Sequence, residues 1–125
     1  MRRTRITPRA AVVAVATAFA CLLTAEPALA AQVTVSYHGT DAAADNSPGN
    51  GAAGWVWVHG STEYKAVGGT IEYQHWDGTR GELSAGRGAS ASESLGKSVK
   101  GFRACIDSYV DGYDFRSCGS WSWFG

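Results

Sequence analysis

Three histidines, a late pair of cysteines, scattered carboxylates and five tryptophans are the side chains in this sequence able to act as ligands, nucleophiles, acids or stacking surfaces. His38, His59 and His75 fall on three separate runs, so no local metal-ligand spacing exists. No Gly-x-Ser-x-Gly nucleophile elbow occurs. Glu63 and Glu72 could meet across a turn at Gly68-Gly69 as a glycosidase-type pair, although carboxylates at strand edges are ordinarily solvated. Gly86-Arg87-Gly88 is too short for a phosphate loop, and the acidic, Asn-containing segment 41–50 lacks the ligand spacing of a Ca²⁺ loop. No catalytic residue, cofactor or metal is expected. The tryptophans are different. Trp55/Trp57 and Trp121/Trp123 are each spaced by two, which puts each pair on one strand face. An aromatic row can stack on sugar rings, yet a small β domain also needs aromatics for its core. Trp76, beside a turn, and Trp123, near the chain end, are the expected ligand contacts.

The strands that carry these side chains are expected to follow an export signal. Residues 1–9 carry Arg2, Arg3, Arg5 and Arg9 and no acid, residues 10–25 carry no charge, and Pro27 precedes Ala28-Leu29-Ala30. A basic head, an apolar middle and a small-x-small site are the parts of a cleavable signal peptide. Residues 1–30 are read as that signal, a helix while it crosses, and residues 31–125 as one secreted β domain. The uncharged run is shorter than the roughly 20 residues needed to span a bilayer, so no stable membrane anchor is expected. Four of the 11 basic residues and one of the 11 acids lie in the first 30. The remaining domain therefore carries 7 basic against 10 acidic residues, about −3. That balance gives no basic patch for nucleic acid.

Within residues 31–125 no helical apolar period is sustained. Short alternating runs bounded by Gly, Asp and Asn predict an all-β domain, a small antiparallel β-sandwich or barrel. Residues 32–37 alternate, residues 38–54 read as a long polar loop, and residues 55–59 are apolar on both faces like a central strand of two layers. Gly68-Gly69 and Asp77-Gly78 read as hairpin turns, and residues 84–96, rich in Gly, Ala and Ser, as a loop.

The C-terminal hairpin follows from its turn. Asp111-Gly112 is a favoured type I′ pair, because both central residues need positive φ. Val110 then faces Tyr113, and counting outward brings Cys105 opposite Cys118 in a non-hydrogen-bonded pair, the close kind that suits a cross-strand disulfide. Asp107 faces Arg116. One face carries Phe102, Ala104, Ile106, Val110, Tyr113, Phe115, Trp121 and Trp123, and reads as core. The other carries Arg103, Cys105, Asp107, Arg116 and Cys118, and reads as wet. In this register Trp121 opposes Phe102 and is expected inside, while Trp123 opposes Lys100 near the open end. Two cysteines in an exported chain are ordinarily joined, and closing this loop is worth about 3 kcal/mol.

With its signal peptide, its Gly- and aromatic-rich strands and the late Val99-Lys-Gly-Phe-Arg-Ala-Cys105 and Cys118-Gly-Ser-Trp121, the chain resembles the small secreted actinobacterial proteins of unknown function. The resemblance implies an extracellular all-β domain and carries over no catalytic residue. The expected function is a secreted, non-enzymatic binding module, a monomer whose extracellular partner is a cell-envelope or other extracellular polysaccharide. The alternatives are a secreted antimicrobial or toxin, which the acidic charge disfavours in a cationic membrane-disrupting form, and a small extracellular hydrolase built on converging histidines and carboxylates.

Overall fold

A computed structural model of the chain describes residues 32–125. The signal peptide expected over residues 1–30 lies outside the described residues. The described part is all-β, with nine strands: β1 (Gln32–Tyr37), β2 (Thr40–Asp45), β3 (Gly54–His59), β4 (Ala66–His75), β5 (Arg80–Gly86), β6 (Ser90–Leu95), β7 (Val99–Val110), β8 (Tyr113–Cys118) and β9 (Ser122–Trp123). They form two antiparallel sheets. The first has the order β1-β2-β3-β6. The second has the order β5-β4-β7-β8, with β9 also paired to β7.

Alternation decides what each sheet turns toward the other. Val56 and Val58 of β3 are fully buried, whereas Trp55, Trp57 and His59 lie half-buried on the opposite face of that strand. Ile71 and Tyr73 of β4 and Phe102 and Ala104 of β7 face inward in the same way and join Ala42, Ala44, Val56 and Val58 in one shared core. Asn46 ties the two layers at one end. Its Nδ2 donates to the Val99 carbonyl (2.8 Å), and its Oδ1 accepts from the Val99 N–H (2.7 Å).

Three expectations are corrected. The segment read as a long polar loop contains β2, Thr-Asp-Ala-Ala-Ala-Asp, and the irregular stretch is confined to residues 46–53. Alanine is a poor strand former, but Ala42 and Ala44 face the core between the sheets, Ala43 lies on the other face of β2 opposite Trp57, and all three are buried. The segment 84–96, read as a loop, is the end of β5 and all of β6. Its serines alternate outward, opposite Trp55, Trp57 and His59. Gly68-Gly69 is no turn. Both lie inside β4, beside a bulge at Val67, and a Cβ on Gly69 would overlap the Thr40 side chain of the facing sheet.

The turn and register of the last hairpin stand as derived, but Tyr113 and Phe115, on the face read as core, are exposed. Asp111 (φ 51°) and Gly112 (φ 84°) form the turn, Val110 faces Tyr113, and Cys105 faces Cys118 with Cα atoms 4.0 Å apart, joined as a disulfide. Cys105 is fully buried, and a buried disulfide fits an oxidising, extracellular setting. Among the described residues no helix is long and apolar enough to cross a membrane.

Candidate functional site

The hairpin register does not continue to the chain end. The Gly119 N–H still donates to the Ala104 carbonyl (3.0 Å), in step with β8. Beyond it Ser122 faces Phe102 and Trp123 faces Gly101, one residue out of step. A one-residue slip turns every later side chain to the opposite face. Trp121 is therefore not in the core, as the unbroken register required. It lies half-buried on the outer face with the disulfide, and Trp123 lies exposed on the same face. Phe124 takes the inward place, its ring centroid 6.1 Å from that of Phe102.

The sequence permits this because Gly101 leaves room. A Cβ there would overlap the Trp123 ring. Trp121 and Trp123 stack on each other, with centroids 5.2 Å apart and planes 17° apart. Trp121 reaches across the sheet between two guanidiniums, Arg103 at 4.9 Å and Arg80 at 5.1 Å from its centroid. At the other end of the stack the Lys100 ammonium lies 5.8 Å from the Trp123 centroid and 5.7 Å from that of Trp76. The two tryptophans singled out in the sequence thus meet over one lysine, and both are exposed, Trp76 at 56% and Trp123 at 54%. Cation–ring contacts of this kind are worth about 0.5–1 kcal/mol when exposed, enough to hold the rings without covering them.

Neighbouring carboxylates sort the cations into paired and free. Glu72 bridges Arg103 (2.7 Å) and Arg116 (3.2 Å), and Arg116 also bonds Asp107 (2.7 Å) and Glu82 (3.1 Å). Burial alone would lower the Arg116 pKa, but the bonds to Asp107 and Glu82 outweigh it and hold the group above its usual range. Lys97 is bound to Asp77 at 2.7 Å, and with Thr79 it keeps that carboxyl well below the usual carboxylate range. Arg80 and Lys100 have no carboxylate partner among the described residues. The outer face thus presents a ladder of Lys100, the Trp123/Trp121 stack and Arg80, with Trp76 beside the lysine. Reading the sequence by strands missed Arg80, Lys100 and Arg103 as ring partners, because only the tail's return across β7 brings the tryptophans to them.

The remaining candidates are placed separately. The His38 ring lies 3.6 Å from Glu63. His59 Nδ1 is within hydrogen-bond distance (2.8 Å) of Ser90 Oγ, and His75 Nδ1 lies 2.9 Å from the Ser98 carbonyl. Glu63 and Glu72 do not face each other across Gly68-Gly69, since those glycines make no turn. Arg87 clamps a loop, its guanidinium donating to the carbonyls of Thr62 (2.6 Å), Glu63 (2.7 Å) and Ala66 (2.8 Å). Glu72 lies within 4.8 Å of both Cys105 and Cys118 sulfurs, but joined sulfurs offer no thiolate to a metal.

No protein-family model, curated protein or solved structure matches the chain. The geometry of the outer face therefore has to carry any functional reading.

Proposed function

We propose that residues 31–125 form a secreted, non-enzymatic β-sandwich module that binds an extracellular or cell-envelope polysaccharide, released by cleavage of the signal peptide at residues 1–30, and that its ligand is an acidic glycan. One observation carries the reading: Trp76 and Trp123, both more than half exposed, flank the unpaired Lys100. Aromatic faces stack on the apolar faces of sugar rings, and an unpaired ammonium and guanidinium select a carboxylate or phosphate on the chain. The domain as a whole is acidic, yet Lys100 and Arg80 beside the rings have no carboxylate partner among the described residues.

Affinity electrophoresis through gels containing a polyuronate, a neutral β-glucan or no polymer tests it. The domain should be retarded by the polyuronate, less at high salt, and Trp123→Ala and Lys100→Gln should each restore its mobility. Equal mobility in all three gels sinks the reading.

A further inference from the structure

The second sheet ends in an open edge, and its composition fits itself. β8 is the terminal strand in the order β5-β4-β7-β8, and Tyr113, Asp114, Phe115, Arg116 and Ser117 are all exposed. An edge strand offers unpaired N–H and C=O groups, which proteins usually blunt with proline, a bulge or charged side chains. β8 has no proline and no bulge, and its two charges, Asp114 and Arg116, are opposite in sign. The hairpin tip also carries exposed apolar surface, with Tyr113 at 68% and Phe115 at 56%.

Backbone parity limits how a second β8 could add to this edge. Val110–Tyr113 closes a two-residue loop, so Tyr113, Phe115 and Ser117 turn their backbone groups toward β7, and Asp114 and Arg116 turn theirs to the open edge. An antiparallel partner must therefore pair Asp114 and Arg116 with residues of the same parity. Asp114 against Asp114 sets like charges opposite each other, and so does Arg116 against Arg116. Asp114 against Arg116 remains, and it satisfies both charges twice under two-fold symmetry. The Asp114 carboxylate has no partner among the described residues, nor does Arg116 Nη2, whose Nε and Nη1 are already bonded. In that register Phe115 lies on the two-fold axis facing Phe115 of the second copy, in a non-hydrogen-bonded pair where side chains approach closest.

We infer that the chain forms a two-fold dimer through its β8 edges, with Asp114 of each copy opposite Arg116 of the other. This departs from the monomer expected from the sequence, and it does not depend on the glycan reading. Sedimentation velocity of the disulfide-intact secreted domain, from low to high micromolar, should show a species of twice the chain mass. Asp114→Arg should weaken it roughly tenfold, since it turns two opposite-charge pairs into like-charge pairs. Phe115→Cys should form a covalent dimer on air oxidation, because residue 115 meets itself. Tyr113→Cys places its thiol opposite Ser117 in this register and should form no covalent dimer under the same treatment. A single monomeric species throughout with no Phe115→Cys cross-link overturns the inference. So does a cross-link at residue 113 without one at 115, which would mean a different register.

Discussion

The ring of Trp123 fills the space that a side chain on Gly101 would occupy. Gly101 therefore acts on the aromatic strip without belonging to it. Gly101→Val should push Trp123 off β7 and abolish retardation by polyuronate as fully as Trp123→Ala does, while leaving Trp76 and Lys100 intact. Gel mobility of the two variants, side by side, checks this. Wild-type retention in Gly101→Val would show that Trp123 needs no such seat.

Phe124 and Trp123 are neighbours with opposite duties. Phe124 packs inward against Phe102, and Trp123 lies outside. Phe124→Ala should cost about 2–3 kcal/mol, somewhat below the range for a fully buried phenylalanine. Trp123→Ala should cost about 1 kcal/mol, the scale of the exposed ring contacts it loses. Urea melts on both variants decide it, and equal losses would contradict the register slip.

That slip marks where sequence reading stops. The all-β class, the Asp111-Gly112 turn and the Cys105–Cys118 pairing were legible because alternation, turn chemistry and cysteine parity all point to one register. Nothing local says that one extra residue accumulates between Gly119 and Ser122. Its cause is tertiary: Gly101 offers an empty seat outside, and Phe124 fits beside Phe102 inside. β2 was hidden for a similar reason. Its three alanines carry no strand signal of their own: Ala42 and Ala44 fit the core between the sheets, and Ala43 is buried on the other face opposite Trp57. The glycines of β4 were legible as glycines but not as close approaches, because their neighbours Thr40 and the Ala85 carbonyl come from other strands. The site residues Trp76 and Trp123 were visible by type and position, and the cations that join them were not.

Burial, together with the nearby charge of Glu93, raises the Tyr73 hydroxyl above its ordinary value of 10.0. A group whose folded pKa is raised contributes stability that is fully present below its unfolded pKa and is lost as pH rises toward the folded value. Stability should therefore hold to about pH 10 and then fall, and Tyr73→Phe should flatten that alkaline fall. Melting temperatures of both proteins from pH 8 to 11.5 give the answer. Parallel curves would remove Tyr73 as the cause.

Thr40 is fully buried, and its hydroxyl has no hydrogen-bond partner among the described residues. Leaving a buried polar group unpaired costs about 1–3 kcal/mol. Thr40→Val keeps the shape and removes the orphan, so it should raise stability by about 1 kcal/mol. Chemical denaturation measures it. A loss of stability would mean that water reaches the hydroxyl between the sheets.

On the glycan reading, ligand contacts lie on the outer face of the second sheet, at Trp76, Trp121 and Trp123, and not on the Trp55–Trp57 face of the first. All five tryptophans lie in the described residues, so each indole N–H can report in one ¹⁵N–¹H spectrum. Titration with an acidic oligosaccharide should move the signals of Trp76, Trp121 and Trp123 together along one saturation curve and leave those of Trp55 and Trp57 in place. Shifts confined to Trp55 and Trp57, or no shifts at all, would contradict the account.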